Sequence, residues 1–215
     1  MDNRTKEAIR YLGYGRQEAD EQTLGLVADA FRELDETAKP RSIYRTFELQ
    51  WKQTDTIRIE MMEIHSRNLS KNLKGCRQVV LLCGTLGIEV DYLIKRYSYT
   101  EMAKAVVMQA CAAALLEEYL DERQEEIRTE MKKQDLYLSP RFSPGYGDFS
   151  ILHQREILTL MEASKKIGLT MTESSMLTPT KSVTALIGLS TTQENCHQKG
   201  CEVCGKKDCI YRRES

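Results

Sequence analysis

Residues Ala103 to Leu116 form an almost uninterrupted apolar run, and that run constrains the fold more than any other part of the chain. Many of its residues are small: Ala103, Ala105, Ala110, Cys111, Ala112, Ala113 and Ala114. Small side chains on a helix let neighbouring elements approach closely. The run is too short, and too closely flanked by charge, to cross a bilayer. Helical character extends from Thr100 to about Lys133, strongly charged beyond Glu117. This predicts one long central helix, buried over its first half and solvated over its second. With 215 residues and 41% hydrophobic content, the chain can wrap a core around that helix, as one domain or a domain with a small appendage.

Two helices are expected ahead of it, Thr5–Tyr14 and Ala19–Ala38, the second ended by Pro40. Ser42–Trp51 and Thr56–Met61 read as strands of a hairpin, and Leu69–Lys74 as a short helix. Gln78–Gly84, with Val79, Val80, Leu81, Leu82 and Cys83 in succession, reads as a buried strand followed by a helix over Ile88–Tyr97. Past the long helix, Leu136–Phe149 is irregular, Ile151–Ala163 is an amphipathic helix, and Gly168–Met171 and Ser182–Leu189 are strands. Helices and strands mix without regular alternation. That order favours an α+β fold built on an antiparallel sheet.

Charge removes several functions. With 31 basic and 32 acidic residues the net charge is -1, which gives no field for nucleic acid or an anionic membrane. Met1-Asp2-Asn3-Arg4 leads into a charged segment unlike an export signal, so a cytoplasmic location is expected. In that reducing compartment seven cysteines are not expected to form structural disulfides. The chain has no P-loop, dinucleotide fingerprint, H-E-x-x-H or G-x-S-x-G element, and no nucleophile beside an evident base. Acidic pairs such as Glu117-Glu118 read as a solvated helix face. Binding and presenting a small molecule fits better than resident side-chain catalysis.

The binding element is Arg141-Phe142-Ser143-Pro144-Gly145-Tyr146-Gly147. Proline fixes a bend, and glycine lets backbone come close to a ligand. The Arg141 guanidinium can clamp a carboxylate while the Tyr146 ring covers an apolar or aromatic part of the same molecule. The plain alternative is a surface turn with a structural arginine–carboxylate pair.

After Ser190 the composition changes. Cys196, Cys201, Cys204 and Cys209 follow a C-x4-C-x2-C-x4-C spacing in a stretch with almost no apolar side chains, so burial cannot fold it. Four thiolates can surround one metal centre, either tetrahedral zinc or a four-iron four-sulfur cluster, and spacing alone does not choose. Redox-labile free thiols or a disulfide pair are the alternatives. Cys76, Cys83 and Cys111 read as packing residues. His65 and His153 have no partner at ligand spacing.

Several of these stretches together resemble the activation, or reactivation, domain of cobalamin-dependent methionine synthase, in a small stand-alone form. The resemblance lies in Val80-Leu81-Leu82-Cys83-Gly84-Thr85-Leu86-Gly87-Ile88-Glu89, in Leu116 to Arg123, in Arg141-x-x-Pro144-Gly145-Tyr146, in Leu169 to Ser174, and in Ser182-Val183-Thr184. It implies a curved antiparallel sheet with flanking helices within residues 1–190; residues 1–77 carry no convincing match and are expected to be a family-specific extension or docking surface, and 191–215, read from its cysteine spacing, is expected to be a cysteine-rich metal-binding tail. The resemblance further implies an S-adenosylmethionine site in which Arg141 takes the methionyl carboxylate. Backbone at Ser143 and Gly145 contacts the ligand, Tyr146 lies beside it, and Glu118 (or Glu117) approaches the amino group or sulfonium. The implied role is rescue of cob(II)alamin carried by a partner, a cobalamin-dependent methionine synthase or another corrinoid protein, with flavodoxin or ferredoxin as electron donor. An iron–sulfur cluster on Cys196, Cys201, Cys204 and Cys209 would relay that electron. The competing expectation is a zinc-bearing protein-interaction module without adenosylmethionine chemistry.

Overall fold

The computed structural model describes residues 1–14 and 19–192. Helices α1 (Asn3–Tyr11) and α2 (Glu21–Thr37) come first. Each starts at an aspartate: Asp2 accepts from the Thr5 amide and Asp20 from the Thr23 amide, both at 2.7 Å, satisfying donors that a helix start leaves open. Strands β1 (Arg41–Glu48), β2 (Gln50–Gln53), β3 (Thr56–Ile59) and β4 (Met62–His65) follow, then the short α3 (Arg67–Asn72) and β5 (Gln78–Thr85). Next come α4 (Ile88–Thr100) and the long α5 (Met102–Lys132), 31 residues or about 46 Å of helix. The chain ends its described course with β6 (Tyr137–Leu138), α6 (His153–Met161), α7 (Ala163–Ile167), β7 (Thr170–Met171), β8 (Leu177–Thr178) and β9 (Ser182–Ser190).

The main sheet has the order β1-β5-β9-β6 and is antiparallel throughout. Its central strands are covered on both sides. Val80, Leu82, Ile187 and Leu189 face a core shared with α1, α2, α4 and α5. Val79, Leu81, Cys83 and Leu186 face a second core with the β2-β3-β4 sheet, α3, α6 and α7. A strand buried on both faces has no reason to alternate, which is why β5 is a continuous apolar run in the sequence.

Helix α5 lies across the first face and comes close to the sheet at Gly84. A Cβ there would stand 2.7 Å from the Leu120 Cδ2, so the glycine makes room for a fully buried leucine. The small residues Ala105, Ala110, Cys111, Ala112 and Ala114 are all buried, as a tightly packed central helix requires. At its start, Lys104 donates to Glu33 at 2.6 Å and to the Tyr97 hydroxyl at 3.0 Å, tying α5 to α2 and α4.

The α+β expectation and the long central helix are both present, but the second half of that helix is amphipathic rather than solvated, since Leu120, Ile127 and Met131 are buried in the core. Three local expectations need correction. Ser42–Trp51 is two strands in different sheets, because the chain leaves the main sheet at Leu49, whose amide donates to the Arg77 carbonyl at 2.9 Å. The helix over Ile151–Ala163 is two helices, broken at Glu162 in a left-handed conformation with φ 53°. The hairpin of Thr56–Met61 continues into a further strand, β4, which pairs with β3 from Ile59↔Met62 to Thr56↔His65.

Candidate functional site

The loop from Pro140 to Phe149 is built onto β9. Phe142 exchanges two backbone hydrogen bonds with Leu186, its amide donating at 2.9 Å and its carbonyl accepting at 2.8 Å. The segment then folds back on itself: the Tyr146 amide donates to Ser143, the Gly145 amide to Phe149 at 2.7 Å, and the Phe149 amide to Tyr146. Gly147 has φ +56°, and a Cβ there would sit 2.4 Å from the Asn68 Nδ2. Only glycine suits both the conformation and the contact.

Beneath the loop, Phe149 is 1% exposed and is among the largest fully buried side chains. Its ring lies 6.4 Å from Phe142 and stacks on His153 at 5.5 Å. Tyr146 meets Phe142 edge-on at 6.2 Å, and the residue is 60% exposed. Pro144 is buried, and Ser143 is half-buried.

Arg141 points to α5. Its Nη1 donates to the Gln124 Oε1 at 3.0 Å, and its Nη2 to Glu117 at 2.9 Å and Asp121 at 2.6 Å. Residues 117, 121 and 124 stand one and two turns apart on one face of the helix. The Arg141 side chain is only 16% exposed. Two carboxylates around one guanidinium leave the cluster one negative charge in excess. Tyr11 of α1 flanks it: burial pushes the phenol above its ordinary value, and the Glu117 charge pushes it the same way.

Of the residues singled out in the sequence, Arg141, Ser143, Gly145 and Tyr146 therefore share one short, well-held loop. The guanidinium rests on α5, while the phenol ring rests on the edge of Phe142. Glu118 lies on the next face of α5 and pairs with the Arg4 Nε at 3.2 Å, so the carboxylates beside Arg141 are Glu117 and Asp121. In the sequence, Glu117-Glu118 read as a solvated face, the family resemblance placed Glu118 (or Glu117) beside the ligand, and neither picked out Asp121 or Gln124. The i, i+4, i+7 recurrence of acceptors was the available signal. Asp148 was also missed; it accepts from the Ser66 hydroxyl at 2.5 Å and from the Arg67 and Asn68 amides at 2.8 and 3.1 Å. The Ser66 hydroxyl, then those two amides, hold its carboxyl below the ordinary range.

A surface trough of about 750 Å³ runs along Glu122, Glu125, Glu126, Thr129, Glu130 and Lys133. It is the charged outer face of the C-terminal part of α5, whose other face buries Ile127 and Met131 in the core, and it is separate from the loop. Cys76, Cys83 and Cys111 are buried thiols, and burial pushes the last two up to about 12, which makes those two inert. No group of three metal-ligating side chains occurs among the described residues. Cys196, Cys201, Cys204 and Cys209 lie outside the described residues. No helix among the described residues is long and apolar enough to cross a membrane.

Comparison with known proteins fits this architecture. A search of curated proteins gives no match. The crystal structure of the MetH reactivation domain bound to AdoHcy aligns with a TM-score of 0.62, covering 91% of this chain and 77% of that one at 18% sequence identity. At that identity the likeness is one of fold. The family described as vitamin B12 dependent methionine synthase, activation domain, matches residues 70–201, a span that takes in β5, α5, the whole of the loop and β9. With well over half its length inside that match, the chain belongs to the activation-domain family of vitamin B12-dependent methionine synthases.

Proposed function

We propose that this chain binds S-adenosylmethionine on the Arg141–Tyr146 loop and supports reductive methylation of cob(II)alamin carried by a separate corrinoid protein, a cobalamin-dependent methionine synthase above all. The observation that carries this reading is the family match over residues 70–201, which contains the loop, the strand β9 it is built onto and the stretch of α5 that Arg141 contacts. In the reaction, one electron from a donor such as flavodoxin or ferredoxin reduces the partner's cobalt from the +2 to the +1 state. The cobalt electron pair then attacks the methyl carbon of the sulfonium. A cobalt–carbon bond forms, the sulfur–carbon bond breaks with its electrons passing to sulfur, and S-adenosylhomocysteine leaves.

The chain's own residues hold the donor. A guanidinium has five N–H groups, and three hydrogen bonds are made to α5, so Arg141 keeps donors for a ligand carboxylate. Glu117 and Asp121 supply the negative charge that suits an ammonium or sulfonium. Glu117, beside Arg141, is better placed for this than Glu118, which is engaged with Arg4. Backbone at Ser143 and Gly145 can approach the ligand, and the exposed Tyr146 ring offers a face to the adenine or the cationic sulfur. Calorimetric titration with S-adenosylmethionine tests this: saturable heat with one site per chain is expected, and its absence ends the reading.

The tail extends the proposal. Its four cysteines would hold an iron–sulfur cluster that passes the electron toward the partner's cobalt; zinc is the rival occupant. Protein purified anaerobically from iron-replete cells is expected to be brown and to bleach with dithionite. Colourless protein with one zinc per chain would end the relay and leave adenosylmethionine binding untouched.

A further inference from the structure

Helix α3 holds the loop at both of its ends. At the entry, the Asn72 Nδ2 donates to the Pro140 carbonyl at 3.2 Å, and the Asn72 Oδ1 accepts from the Ser139 hydroxyl at 3.0 Å. That same hydroxyl accepts the Gly188 amide at 2.8 Å, so the entry is tied to β9 as well. At the exit, Asp148 is bound by the Ser66 hydroxyl and the Arg67 and Asn68 amides. Between these ties, Asn68 and Asn72 stand one turn apart on α3, and Asn68 packs where Gly147 has no side chain. A six-residue helix thus engages two points of the loop eight residues apart.

We propose that α3 is a positioning element for the loop: Ser66, Asn72 and Asp148 fix residues 140–148 in the shape that presents Arg141 and Tyr146 to the ligand. The inference rests on the reading of this loop as the adenosylmethionine site. Its physical basis is preorganisation. A loop already held in its bound shape loses less conformational freedom when a ligand arrives, so contacts remote from the ligand appear in its affinity. Asp148 is the strongest tie, because a carboxylate that accepts three hydrogen bonds makes each of them charge-assisted.

The test titrates S-adenosylmethionine into the wild type, Asp148→Ala, Asp148→Asn and Asn72→Ala, with amide hydrogen exchange over residues 142–149 measured on ligand-free protein. Asp148→Ala is expected to bind about tenfold more weakly, with faster exchange in the loop. Asp148→Asn keeps an oxygen for Ser66 and Asn68 but turns its NH2 toward the Arg67 amide, so it is expected to bind between wild type and Asp148→Ala, a partial rescue that nonspecific damage would not show. Binding by Asp148→Ala within about twofold of wild type overturns the proposal. If the wild type itself binds nothing, the ligand reading fails and exchange decides for α3: an unchanged loop in Asp148→Ala overturns the clamp, and a loosened one upholds it. If Asp148→Ala does not fold, Asn72→Ala carries the same two readouts and the same criteria.

Discussion

Replacing Phe149 by alanine is expected to lower the free energy of unfolding by about 3–5 kcal/mol, the range for removing a buried aromatic ring. The ring is 1% exposed and belongs to the core on the α6 side of the sheet, with Leu81, Leu186 and Ile157. It also underlies the candidate site. Its backbone closes the loop through Gly145 and Tyr146, and its ring stands between Phe142 and His153. Neighbours anchored on β9 and α6 cannot easily collapse into the space left behind, which places the cost at the upper end of that range. For a chain of this size each kcal/mol lowers the melting midpoint by about 2–4 °C. Chemical denaturation measures the loss directly, and a change below about 1 kcal/mol would mean that the loop is not packed on this ring as described.

Arg141→Ala should show the opposite balance. Its ion pairs with Glu117 and Asp121 are at the surface or only partly covered, since those carboxylates are 28% and 60% exposed. Such pairs contribute about 1 kcal/mol or less to folding. A guanidinium gripping a ligand carboxylate is worth more, because both partners are charged and the hydrogen bonds are directional. Binding of S-adenosylmethionine is therefore expected to weaken about 10- to 100-fold while stability changes by no more than about 1 kcal/mol. Arg141→Lys keeps the charge but loses the fork and should bind at an intermediate level. Calorimetry and denaturation on the same preparations separate the two effects. Unchanged affinity in Arg141→Ala would make the arginine a purely structural tie to α5.

What could be read in the sequence, and what could not, follows the range of the forces involved. Helix α5 was legible because the first half of its sequence is almost wholly apolar, β5 because a strand covered on both faces carries an unbroken run from Val79 to Cys83, and β9 through the alternation of Val183, Ala185, Ile187 and Leu189. The loop stood out through residue types that are costly elsewhere, proline and glycine beside arginine. The break at Glu162 was not legible: a charged residue with φ 53° is imposed by tertiary packing, and its own chemistry favours the helix it interrupts. The split at Leu49 has the same origin, since no glycine or proline marks the point where the strand changes sheets. Within the site, Asp148 and Ser66 meet across 82 positions of sequence, and no local pattern encodes such a contact. The choice between Glu117 and Glu118 depended on helix phase, which a single residue of drift reverses.

The family match opens at residue 70, yet strand β1, at Arg41–Glu48, pairs residue for residue with β5 along its whole length. Helices α1 and α2 likewise supply Ala8, Ile9, Val27, Phe31 and Leu34 to the core that encloses α5. Kinship and cohesion therefore draw different borders. A fragment trimmed to the recognisable portion would bare the backbone edge of its most apolar strand and invite other chains to fill it.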